Sequence, residues 1–164
     1  MAARGVHFAL TADQAASLLA TPDDDALMLM IEDVESDWDE DWLAESDKAW
    51  DAIHRCLTDG SLEYAGGQPP LNLVILGGRQ LGADEEYTIS FVTSEQVKQV
   101  AAALAPIDEA WLRQRYFSLL KAGDYDGDID EQDFGDTWRW FQHVAALFRK
   151  AAAHGRAVVF TVDV

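Results

Sequence analysis

Val6, Phe8 and Leu10 alternate with His7 and Ala9, the period-two pattern of a strand, and Thr11 follows where a helix cap belongs. With Gln14 three positions on to complete a capping box, Thr11 predicts a helix over residues 13–20, its apolar face made by Ala15, Leu18 and Leu19. Pro22 and the aspartates at 23, 24 and 25 end it, and a Met and Leu cluster over about 27–34 reads as helical without a clear cap. Trp42, Leu43, Trp50, Ile53 and Leu57 recur at helical intervals with acids opposite, predicting one helix from Asp39 to near Thr58, stopped by Asp59 and Gly60. Pro69 and Pro70 mark a loop, residues 71–76 read as a short buried strand closed by Gly77 and Gly78, and residues 87–92 read as another strand. Thr93 and Gln96 repeat the capping box before a helix lined by Val97, Val100, Ala101 and Leu104, which Pro106 breaks. A helix over 108–121, an Asp-rich loop and a long helix to His154 follow, with Gly155 as a left-handed stop and residues 157–162 as the last strand.

Strands at both ends with helices between them predict an α+β fold: a single domain over residues 1–164, its small mixed sheet holding the N- and C-terminal strands under several helices. The chain has 164 residues, 49% of them hydrophobic, which suffices for one core burying roughly 70% of the unfolded surface. Its apolar runs fall far short of the roughly 20 residues that cross a bilayer. Arg4 is the one early basic residue, and Asp13 interrupts any signal-like segment, so a cytoplasmic location with no membrane partner is expected. Cys56 is the sole cysteine, which makes it a structural thiol with no partner for a disulfide within the chain.

Charge changes the picture more than composition does. Thirty acids against twelve lysines and arginines give a formal net charge of -18, which repels phosphate backbones, so nucleic acid is not an expected partner. The acids are concentrated: residues 23–51 carry thirteen of them and the single base Lys48, and residues 122–136 carry seven with no base. Concentrated negative potential steers a basic partner, whereas an even distribution would serve solubility.

The run Asp47-Lys48-Ala49-Trp50-Asp51-Ala52-Ile53-His54-Arg55-Cys56-Leu57-Thr58 resembles the Asp-Lys-x-Trp-x-x-Leu-His-x-x-Leu-Thr signature of the YfbM-like family, a bacterial domain of unknown function. Later blocks follow in order: Ile75-Leu76-Gly77-Gly78 with Leu81-Gly82, Val92-Thr93 with Val97, and residues 148–162, so the resemblance spans nearly the whole chain. Departures are Ile53 in place of leucine, Asp59 in place of the glycine after the threonine, and the Asp-rich loop at 124–136. The resemblance implies a compact α+β fold and brings no established activity, cofactor or catalytic residue.

Among candidate chemistries, the strongest is a non-catalytic, partner-binding surface made by Asp37, Trp38, Asp39, Glu40, Asp41, Trp42, Asp124, Asp126, Asp128 and Asp130. Indoles ringed by carboxylates suit a basic protein, in the sharpest form a toxin neutralised by an immunity-type protein. The competing reading is a small-ligand or enzyme cleft built from Asp47, Trp50, His54, Gly77, Gly78, Arg79 and Tyr87. Against it, His54 lies on an apolar helix face, where a packed histidine bonding a loop carbonyl is the plainer reading. Gly77-Gly78-Arg79 matches neither a dinucleotide-binding nor a P-loop spacing, so a tight turn is favoured. The alternating Asp124, Asp126, Asp128 and Asp130 start like a calcium loop, but the turn glycine and the terminal glutamate are missing in either register. No catalytic residue, metal or cofactor is assigned.

Overall fold

The computed structural model describes residues 3–163. Five strands form one sheet: β1 (Gly5–Leu10), β2 (Leu43–Asp47), β3 (Arg79–Gln80), β4 (Tyr87–Val92) and β5 (Ala157–Asp163), in the order β2-β1-β5-β4-β3. The terminal strands lie side by side, from Val6 opposite Thr161 to Leu10 opposite Ala157. Every pairing is antiparallel, which corrects the mixed sheet expected from the sequence. The helical connections bring the chain back beside its neighbour running the other way, so no parallel pair arises.

Both faces of the sheet are covered. On one, Phe8, Leu10, Ile89, Phe91 and Val159 pack beneath Leu18 of α1 (Ala12–Leu19) and Leu27 and Ile31 of α2 (Asp24–Asp37). On the other, Ala9, Val158, Phe160 and Val162 meet α3 (Trp50–Leu57), α4 (Ser94–Leu104), α5 (Glu109–Leu119) and α6 (Glu131–Ala153). Burial on both sides explains why β5 is apolar at consecutive positions from Ala157 to Phe160 instead of alternating.

The capping boxes form as the sequence requires: Thr11 accepts from the backbone N–H of Gln14 and Thr93 from that of Gln96, each reciprocated by the glutamine side chain. Three expectations are corrected. The helix expected from Asp39 to Thr58 is instead a 3₁₀ turn at Glu40–Trp42, then β2, and only then α3. Ala44 and Ser46 are buried around exposed Glu45, and pairing with β1 outweighs the helical spacing of the large residues on either side. The strand expected at 71–76 is a 3₁₀ turn, Leu71–Leu73, followed by irregular chain that buries Val74, Ile75 and Leu76 without joining the sheet. A short apolar run signals burial and does not specify backbone geometry. Finally, α2 is longer than its apolar cluster suggested, and it has a cap: Asp23 Oδ1 accepts from the Ala26 N–H at 2.9 Å, so the aspartates that end one helix start the next.

Candidate functional site

The ten residues expected at a partner surface separate into two groups. Asp37, Trp38, Asp39, Glu40, Asp41 and Trp42 join the end of α2 to β2, and Asp124, Asp126, Asp128 and Asp130 precede α6. Trp42 meets α6 at Lys150, whose Nζ stands 4.2 Å from the ring centroid. The helix between Glu131 and Lys150 spans about 28 Å. The two Asp-rich stretches therefore lie toward opposite ends of α6 and do not converge on one patch.

Many of these side chains already have internal partners. The Arg156 guanidinium lies 3.4 Å from the Trp42 centroid and His154 meets the same ring edge-on at 5.1 Å, so that indole is held by the chain's own cations and imidazole. Asp39 caps the 3₁₀ turn through the Asp41 N–H at 3.2 Å. Asp124 accepts from Arg55 Nη1 at 2.7 Å, and Asp130 caps α6 through the Asp133 N–H at 2.8 Å. Asp126 and Asp128 remain exposed. Next to them the hydroxyls of Tyr116 and Tyr125 both donate to Asp133 Oδ2; burial, followed by that carboxylate, raises both phenol pKa values. The turn resembling a calcium loop is thus a structural joint between α3 and α6. Among the described residues no group of three or more His, Cys, Asp or Glu stands arranged to hold a metal.

The residues of the alternative cleft are not gathered either. His54 is 1% exposed, and its Nε2–H donates to the Glu63 carbonyl at 2.8 Å, the packed arrangement favoured above. Burial lowers its pKa, partly offset by that carbonyl. Trp50 is buried and donates its indole N–H to Ala3 O at 2.8 Å. A Cβ on Gly77 would lie 2.0 Å from Asn72 O and one on Gly78 2.7 Å from Phe91 O, so these glycines serve close backbone approach. Arg79 is exposed on edge strand β3, whereas Asp47 ion-pairs with Arg4 at 3.3 Å on the opposite edge strand, β2. Four inter-strand spacings separate them, about 19 Å. Tyr87 donates to Glu35, and burial first, then Glu35, raises its pKa. Cys56 is fully buried with its thiol pushed up to about 12 by burial, which suits the structural role expected of it.

What the fold does assemble is a groove of about 540 Å³ that follows β2 along the sheet's edge to α6. Trp38, Trp140 and Leu147 give it apolar walls, and Glu40, Asp41 and Glu45 line it with carboxylates. Trp38 is 38% exposed and occupies the left-handed region at the end of α2 (φ 42°), a backbone conformation costly for a bulky residue. Lys150 closes one end, donating to Asp41 O at 2.5 Å. Trp140 also borders a smaller hollow of about 200 Å³ with Asp47 and Asp136, which extends the acidic track along β2. Sequence reasoning missed Glu45, Trp140, His143 and Leu147. The signal was present: Trp140, His143, Leu147 and Lys150 form a helical stripe beside the core stripe of Phe141, Val144 and Phe148.

These features define an α+β domain with helices on both faces of an antiparallel sheet and an acidic, indole-walled groove on one sheet edge. The chain belongs to the family described as Domain of unknown function (DUF1877), which matches residues 1–161. Its fold is similar to that of YfbM from Escherichia coli, a protein of unknown function whose crystal structure superposes with a TM-score of 0.69 at 15% identity, covering 97% of this chain and 99% of that one. No curated protein matches the sequence. No helix among the described residues is long and apolar enough to cross a membrane.

Proposed function

We propose that this chain is a non-catalytic, cytoplasmic module that binds a basic protein partner in the groove beside β2. One observation carries the reading: Trp38 and Trp140 line the same hollow as Glu40, Asp41 and Glu45, next to a strand whose outer edge pairs with no other strand of the sheet. Unpaired backbone groups on an edge strand accept an extended peptide, the indoles offer flat apolar contacts, and the carboxylates select lysine and arginine over acidic side chains. The partner surface accordingly centres on Trp38, Glu40 and Asp41 from the sequence-derived set. Asp124 and Asp130 keep their structural bonds.

A titration with a lysine–valine repeat peptide tests this at low and moderate salt. Trp38→Ala and Trp140→Ala leave the net charge unchanged and are expected to weaken binding roughly tenfold or more each, the loss of a hot-spot aromatic. Asp126→Asn and Asp128→Asn, remote from the groove, should change it little. Binding that tracks total charge and ignores both indoles would refute the site. The narrower form is an immunity-type protein of a bacterium that covers the cationic cleft of a basic toxin. It predicts a toxin-like gene beside this one and a partner retained in a low-salt pull-down; absence of both removes that form and leaves the groove to be tested by the peptide.

A further inference from the structure

On the side of α6 away from β2 lies a second large hollow, about 470 Å³, between α4 and α6. Leu104 and Ile107 form one wall and Trp138 and Phe141 the other, the two rings stacked at 5.6 Å with 22° between their planes. The polar side chains lining it are Gln142 and Arg149. Among the described residues, four other hollows each have at least two carboxylate side chains in their lining. This one has none, on a chain with thirty acids and twelve lysines and arginines. Among the described residues Arg149 makes no ion pair and no side-chain hydrogen bond, unlike Arg55, Arg113 and Arg139. Its guanidinium is a free two-pronged donor on the lining of the same hollow.

We propose that this hollow is a binding site for a small aromatic carboxylate, its ring against the partly exposed indole of Trp138 and its carboxylate on Arg149. The volume falls within the range of small-molecule pockets, and the indole of Trp138, backed by buried Phe141, suits a flat aromatic tail. The guanidinium fork matches a carboxylate geometrically. The protein's overall negative field works against anions, so affinity depends on the local donor, and salt, by screening that field, should favour binding over moderate concentrations.

Calorimetric titration of the full chain with 3-phenylpropanoate, against its neutral amide as control, tests the assignment. Saturable binding is expected, with the acid preferred over the amide by roughly tenfold, the value of a charge-assisted bond to an exposed guanidinium. Arg149→Gln should erase that preference while the amide still binds. Ala101→Leu, which fills the hollow from α4, should abolish binding of both probes, with an unchanged circular-dichroism melt showing that the variant folds. Trp140→Ala, in the groove on the other side, should leave the acid's affinity unaltered, which separates this site from the peptide groove. No saturable binding of the acid, equal affinity for acid and amide, or retention of binding in folded Ala101→Leu would each overturn the proposal. Should Ala101→Leu fail to fold, loss of the acid preference in Arg149→Gln decides the matter alone.

Discussion

His7 sits in the first strand with no exposure to solvent, between Phe148 and Phe160, and its Nε2–H donates to Val74 O at 2.7 Å. Its Nδ1 is buried without a partner. Burial lowers its pKa from 6.5 to about 4, against the opposing effect of the Val74 carbonyl. The folded protein therefore holds this ring neutral under conditions in which the unfolded chain would protonate it. Since the folded pKa is the lower one, the stabilisation is complete above the unfolded value and declines as pH falls from 6.5 toward about 4. The full difference corresponds to about 3 kcal/mol, of which about 2 kcal/mol should be lost between about pH 7.5 and about pH 5. Urea unfolding followed by circular dichroism across that range measures it, with His7→Gln as the comparison because glutamine keeps an N–H donor and does not titrate. The variant is expected to be less stable near neutrality, through lost aromatic contact, and to show a pH slope shallower by about 2 kcal/mol over the interval. His54, whose pKa is also lowered by burial, contributes slope of the same sign to both proteins and cancels in the difference. Equal slopes for the two proteins would refute the reasoning.

Two further outcomes follow from named contacts. Arg55, with its side chain 5% exposed, bonds Asp51 at 2.6 Å and Asp124 at 2.7 Å, so Arg55→Ala should cost about 2–4 kcal/mol in urea unfolding and speed hydrogen exchange in the 121–130 loop. Gly77→Ala should lower stability by about 3 kcal/mol or more by the same measurement, since the added carbon would meet the Asn72 carbonyl at 2.0 Å and backbone has to move; a near-neutral effect would contradict the close approach.

Where local rules dominate, the chain was legible. The paired Thr and Gln of both capping boxes, the glycine after α6 and the spacing in α4, α5 and α6 each depend on residues within one or two turns, and the structure reproduces them. The misread segments depend on distant partners. β2 is a strand because β1 offers it a ladder, and residues 74–76 are buried irregular chain because the sheet is completed without them. The site was divided in the same way: the sequence named Trp38 and the first acidic stretch, but not Trp140, which lies about a hundred residues further along and shares a groove with Trp38 only in the folded chain.

The sequence by itself determined the α+β class, the two Thr–Gln capping boxes and the concentration of negative charge, because periodicity, capping chemistry and charge are properties of neighbours along the chain. Only the tertiary structure decided which carboxylates are spent on Arg55 and on the Tyr116 hydroxyl, and which are left beside an open strand edge. An acid's availability is fixed by the donors that folding brings within hydrogen-bond reach, and those donors come from elements far away in sequence.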